Sequence, residues 1–316
     1  MKRLWQDAPS AIFIIMLIIA FIAVTGAAVY LAPDGLTTDW LASWLRLVSA
    51  ALLGALLVLI GFEILAGRGL RAEHHREALE RTLKDARRGD AEAIARLKSQ
   101  GALYGQDLER ARLTNAILDG ADLRGSNLAR ADLRAARLEE SDLSDALLDH
   151  AQLDEARLRQ ATLTRADLSW ANLPNTTLVR ANLEAANLVE ANLHGSNLRW
   201  ANLTEANLQG ATLREADLHG VVLLNADLHA ANLTNARLAR ANLAGALLQE
   251  ASLQGASLIN ADLRGTNLGW ANLVGADLGR CLMDEETILP NNRRWTPDTD
   301  LQRFTDPAHR RFWAPN

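Results

Sequence analysis

Leucine recurs at every fifth residue from Leu103 to Leu278, 36 times without an exception. Two residues before each leucine the chain is small: 28 Ala, three Ser, two Thr, Val221 and Gly101, with Gln106 the one large residue. The position just before the leucine favours Asn (12 times) and Asp (9 times), and the second position after it holds ten Gly. A period of five suits neither an α-helix at 3.6 nor a flat strand at 2. On a helix the leucines would spiral around every face, and on a strand they would alternate sides. The period works if the chain turns a corner every five residues, so that four units close a square coil. Each Leu then points inward from the middle of a side, with the small residue inward near a corner. Asn, Asp and Gly tolerate corners because they accept positive φ or bond their own backbone. Met283 and Ile288 are expected to continue the register more loosely, and Cys281 to be one more small inward residue.

The apolar pattern differs upstream. Residues 8–33 carry no charge, and about 20 apolar residues cross a hydrocarbon core of roughly 30 Å. A second apolar run covers 47–62, extended by Trp40, Leu41, Trp44 and Leu45 before it and by Ile64 and Leu65 after it. Residues 1–67 therefore predict a two-helix transmembrane hairpin, with spans at about 10–32 and 42–65. Trp40, Trp44, Arg46 and Glu63 are its expected membrane-interface anchors. A cleaved signal peptide would have a shorter apolar core and need no second span. Lys2 and Arg3 precede the first span, the loop 33–39 holds two Asp and no base, and seven Lys or Arg follow between 68 and 88. This asymmetry predicts both termini and everything after residue 68 on the cytoplasmic side of the cytoplasmic membrane. Residues 68–100 read as a charged helical connector and N-terminal cap. Within it, Arg88-Gly89-Asp90 looks like a break followed by an N-cap. His74 and His75 diverge by about 100° on a helix and do not make a metal pair.

The motif A(N/D)LXX, as in "ANLTEANLQGATLREADL" (201–218), resembles the pentapeptide-repeat family throughout 101–280. The resemblance implies an all-β solenoid, a right-handed quadrilateral β-helix. Thirty-six units make about nine coils, a rod of roughly 40–45 Å at the spacing of paired strands. The β-helix is expected over 101–288. A C-terminal cap over 289–316 would offer Trp295, Phe304, Phe312 and Trp313 to cover its end.

Composition narrows the functions. The net charge of −5, from 33 basic and 38 acidic side chains, is too mild for a nucleic-acid binder. One cysteine excludes an internal disulfide framework. No Ser, His and Asp arrangement, phosphate loop or metal cluster stands out, so no enzyme and no cofactor is expected. His219 and His229 lie half a coil apart, on opposite faces.

Function is then expected on the outer surface. Sorting the surface positions by 20-residue coils places eight of the 16 rod arginines on one side: Arg137, Arg157, Arg159, Arg180, Arg199, Arg237, Arg240 and Arg280. Against Asp119, Glu139, Glu140, Asp217 and Asp277 that side nets +3. Trp200 shares it. The opposite side is the most acidic and carries Trp170 and Trp270, five coils apart. The basic side is the candidate interaction face, and the two tryptophans are candidate docking residues. The leading expectation is a membrane-anchored, non-enzymatic scaffold whose rigid cytoplasmic rod binds an unidentified protein, with self-association as a further possibility. One alternative is a subunit or regulator of a membrane complex acting through the hairpin. The other comes from the family resemblance, which includes DNA mimics that protect a topoisomerase. A membrane hairpin and a basic face depart from that pattern, so no nucleic-acid partner is expected.

Overall fold

The computed structural model of the chain describes residues 73 and 75–315. The expected hairpin and its anchors Trp40, Trp44, Arg46 and Glu63 lie outside the described residues. Among the described residues no helix is long and apolar enough to cross a membrane. The chain divides into two compact units, Met1–Leu79 and Glu80–Asn316, and the second carries the repeat.

Residues 75–87 form α1, and Ala91–Ser99 form α2. The break between them is the one read from the sequence. The Asp90 side chain accepts the Ala93 N–H at 2.8 Å, capping α2. Gly89 has φ +91°, and a Cβ there would lie 2.7 Å from the Arg112 carbonyl oxygen, so only glycine fits. Ala93, Ile94 and Leu97 are buried, closing the start of the rod. Arg87 ties this cap to the first coil. Its guanidinium donates to Asp107 Oδ2 at 2.8 Å, and its carbonyl accepts the Arg112 N–H at 2.9 Å.

From Asp107 to Asp262 each outward residue before a leucine bridges its counterpart 20 residues later, always in parallel. This is the four-sided coil that the period requires. Leu108 to Leu273 and nearly all the alanines between them are buried. The unit starting at Asn182 shows why five residues suffice. The Asn182 N–H donates to Ala161 O of the previous coil (2.9 Å). The N–H groups of Leu183 and Ala185 donate to Asn202 O (2.7 Å) and Thr204 O (2.9 Å) of the next. The Ala186 N–H closes the corner on Leu183 O (3.0 Å). One backbone donor remains, on Glu184, and the Asn182 side chain accepts it at 3.3 Å. The preference for Asn and Asp follows: they are the short side chains that can satisfy the fifth donor of each unit.

The corner also demands a left-handed residue, as a turn closed by an i to i+3 bond does when its third residue has positive φ. All 36 units have one, ten of them Gly and the rest side-chain-bearing residues with φ of 53–62°. Where Ser or Thr enters the small column its buried hydroxyl finds a carbonyl. Ser196 donates to Leu193 O at 2.7 Å and Thr176 to Leu153 O at 2.8 Å, as buried polar groups must.

The register at the far end differs from expectation. Met283 keeps the leucine position, but Ile288 does not. Asp262 bridges Leu282, whereas Asn267 bridges Ile288, so one extra residue enters the last coil. Thr287 takes the small buried position and Leu289 the inward one. Asp284 organises the insertion, accepting the N–H groups of Gly265 (2.8 Å) and Thr287 (3.1 Å). These bonds, that of Gly265 first, hold its carboxyl below the usual carboxylate range. The cap follows. Ile288 pairs antiparallel with Arg294, and Gln302–Thr305 form α3. The Gly275 N–H donates to Thr305 O at 2.7 Å. Phe304 is buried and meets Trp313 edge to face at 5.8 Å. Trp295, Phe312 and Trp313 are half-buried.

Candidate functional site

The parallel ladder decides which surface residues are neighbours. Arg137, Arg157, Thr177, Asn197, Asp217 and Arg237 form one continuous column of bridges. The corner column beside it holds Arg180, Trp200, Gly220, Arg240, Asn260 and Arg280, all left-handed. Arg159 and Arg199 lie between these columns. The ladder therefore brings Arg157, Arg159, Arg180, Arg199, Trp200, Arg237 and Arg240 to one side of the rod, with Arg280 at its far end. All eight arginines of the side are exposed.

Ion pairs refine the picture. Elsewhere on the rod four arginines fold back tightly onto nearby carboxylates, Arg124 on Asp122 (2.7 Å), Arg134 on Asp132 (2.6 Å), Arg165 on Asp145 (2.8 Å) and Arg264 on Asp262 (2.6 Å), whereas Arg112, Arg130 and Arg214 have no carboxylate within ion-pair distance among the described residues. The Arg134 guanidinium beside Asp132 holds that carboxyl down to about 2. On the basic side Arg137 pairs with Asp119 (2.6 Å), and Arg199 is near Asp217 (3.7 Å). Among the described residues no carboxylate lies within ion-pair distance of Arg157, Arg159, Arg180, Arg237, Arg240 or Arg280. Their donors point to solvent, ready for a partner's acceptors.

The three tryptophans differ from one another. Trp200 is 48% exposed but lies along the wall. Its ring covers Gly220, where an added Cβ would sit 2.3 Å from a ring carbon, and it meets His219 edge to face at 5.3 Å. It is a flat amphipathic surface beside Arg180 and Arg199. Trp170, 56% exposed, stacks on His150 at 6.3 Å. Trp270 meets Trp313 of the cap at 6.1 Å, so the tail already uses one side of it. Sequence reasoning missed Leu147 and Leu247, exposed on the same side as Trp170 and Trp270. Their signal was the absence of Asn or Asp at the outward position, which leaves an apolar side chain there that cannot cap the turn.

Cys281 occupies the small column, its sulfur 3.0 Å from Leu258 O. Burial pushes its thiol up to about 11, far from a reactive thiolate. Among the described residues no group of three or more His, Cys, Asp or Glu is placed to hold a metal.

A coil whose every side is one pentapeptide, filled with leucine and alanine, defines a class of solenoid by itself. The family description "pentapeptide repeats" matches residues 107–145, 141–178, 166–204, 201–240 and 241–280. The chain belongs to the pentapeptide-repeat family, whose members form right-handed quadrilateral β-helices. Among solved structures, HetL is 36% identical. It is a pentapeptide repeat protein involved in heterocyst differentiation regulation from the cyanobacterium Nostoc sp. strain PCC 7120. The match covers 64% of this chain and 98% of that one, with a TM-score of 0.30. QnrB1, a plasmid-mediated fluoroquinolone resistance protein, is 21% identical over 58% of this chain and 89% of its own, with a TM-score of 0.48. Rfr23 from the cyanobacterium Cyanothece 51142 is 29% identical over 40% of this chain and 90% of its own, with a TM-score of 0.26. Comparison with curated proteins finds no match.

Proposed function

We propose that this protein is a non-enzymatic scaffold, anchored in the cytoplasmic membrane by a two-span hairpin and presenting its β-helix to the cytoplasm as a docking rod. The observation that carries the reading is the row of exposed arginines without carboxylate partners, Arg157, Arg159, Arg180, Arg237 and Arg240, around the flat ring of Trp200. The inner space of the coil is filled by leucine, so the outer sides are what the rod has to offer a partner. Planar guanidiniums beside an aromatic face suit an acidic protein surface. The membrane placement rests on the two uncharged apolar runs and the Lys and Arg that flank them. A rigid rod held close to the bilayer would fix its partner near the membrane.

DNA mimicry, the alternative that the family resemblance allows, asks for a predominantly acidic surface, and the unpaired arginines argue against it. A role carried by the hairpin alone is the other competitor. Crosslinking in intact membranes, read by mass spectrometry, tests the proposal. Wild type is compared with the Arg180→Glu/Arg199→Glu/Arg237→Glu/Arg240→Glu variant, and with a chain whose hairpin is replaced by an unrelated two-span hairpin. The proposal expects one protein captured by wild type, lost in the arginine variant and kept in the hairpin exchange. Capture that follows the hairpin and ignores the arginines would overturn it.

A further inference from the structure

The far end of the rod carries a second cluster of arginines, which the scaffold reading does not use. Residues 289–316 contain five Arg and three Asp, a positive segment on a rod that is otherwise negative. The cap folds this segment around a cavity of about 360 Å³. That is the size range of small-molecule sites. Its lining includes Arg293, Arg303, Arg311, His309, Thr299 and Asp300.

The hydrogen bonds show which of these groups are committed. His309 Nδ1 accepts the Arg311 backbone N–H at 3.2 Å, and its Nε2 reaches Asp300 Oδ2 at 3.0 Å. Asp300 is thereby held by histidine rather than by an arginine. Arg294, also in the lining, is taken by Glu286 at 2.9 Å. Arg293, Arg303 and Arg311 have no carboxylate within ion-pair distance among the described residues. Arg303 is the informative one. Its guanidinium lies over the Phe304 ring at 5.1 Å, and its Nε is buried without a hydrogen-bond acceptor. A buried, charged donor left unmatched is costly. The ring contact helps hold this guanidinium in place and leaves its terminal N–H groups to bind.

We infer that the C-terminal cap is an oxyanion site, in which Arg293, Arg303 and Arg311 converge on a phosphate or phosphate monoester. Guanidinium forks match the tetrahedral oxygens of phosphate in pairs, and the Thr299 hydroxyl adds a neutral donor. The cavity of about 360 Å³ holds one such group, and Asp298 and Asp300 in its lining limit the positive charge around it, so the ligand is a small one rather than a nucleic acid. The proposal is independent of the membrane and docking readings.

Isothermal titration of full-length protein with inorganic phosphate, and separately with glycerol 3-phosphate, at constant ionic strength tests it. Saturable binding of either probe is expected, and the tighter one tells whether the group is taken free or esterified. In the Arg293→Gln/Arg311→Gln variant, whose side chains are exposed and carry no fold, affinity should fall about tenfold or more, as loss of charge-assisted contacts implies. Arg303→Lys, which keeps the charge but not the planar fork, should weaken binding as well. No saturable binding of either probe to wild type, or binding that the double variant leaves unchanged, would overturn the assignment.

Discussion

Replacing alanine by glycine ordinarily weakens a folded chain by about 0.5–1 kcal/mol. At Ala185 and Ala230 it should do the reverse. Both sit at left-handed corners, with φ of 54° and 55°, where an L side chain costs about 1–2 kcal/mol. Both are exposed, so losing a methyl removes little packing. The relief exceeds the extra freedom of the unfolded glycine by about 0.5–1 kcal/mol at each site. The two corners are more than two coils apart and should add. The double variant Ala185→Gly/Ala230→Gly then gains about 1–2 kcal/mol. That corresponds to a rise of about 2–8 °C in the melting midpoint of a domain this size. Thermal unfolding followed by circular dichroism reads it. Ala186→Gly is the matched control one residue along: Ala186 is buried and its φ is not positive, so its midpoint should fall. A lower midpoint for the double variant would refute the claim that the corners carry strain.

The other predictions concern the core, the turns and the charges. Leu198→Ala, at a fully buried site, should cost about 3–5 kcal/mol by cavity formation. Trp200→Ala, on the wall, should cost about 1 kcal/mol or less while weakening partner capture. In denaturant titrations Asn202→Ala should cost about 1–2 kcal/mol. It strands the Thr204 N–H and hydroxyl that Asn202 accepts, and removes its own bond to Asn182. The depressed carboxyls of Asp122, Asp132, Asp262 and Asp284 predict an acid limit. A folded pKa below the unfolded value gives stability that is present above about pH 4 and lost as pH falls toward about 2. The midpoint should drop through that window, and less steeply in Asp132→Asn. A midpoint insensitive to pH there would contradict these pairings.

The fold was legible because one period governs 36 units. Leucine filling, small corners and the coil count follow from five-residue geometry, and the ladder confirms the faces drawn from it, since no coil before Leu282 carries an insertion. Ile288 escaped because a single extra residue near Asp284 changes no composition, only register. The basic side was legible as arginines recurring at neighbouring positions of the coil. Which of them are already paired was not, because Arg137 and Arg199 reach acids one coil away, at separations of 18 residues. Leu147 and Leu247 were passed over because an apolar residue beside a leucine blends into the core pattern. The cap cavity was hidden for a different reason. The tail has no repeat, so nothing in its spacing says that Arg293, Arg303 and Arg311 share one wall.

Docking on the basic side is the central claim, and a photo-activatable amino acid tests it most directly. Placed at position 180, in the corner column of Arg240 and beside the column of Arg157, it should yield one specific protein adduct in intact membranes. Placed at Gln209, on the opposite side of the rod, it should not. Adducts of equal yield from both positions, or none from position 180, would contradict a docking face there.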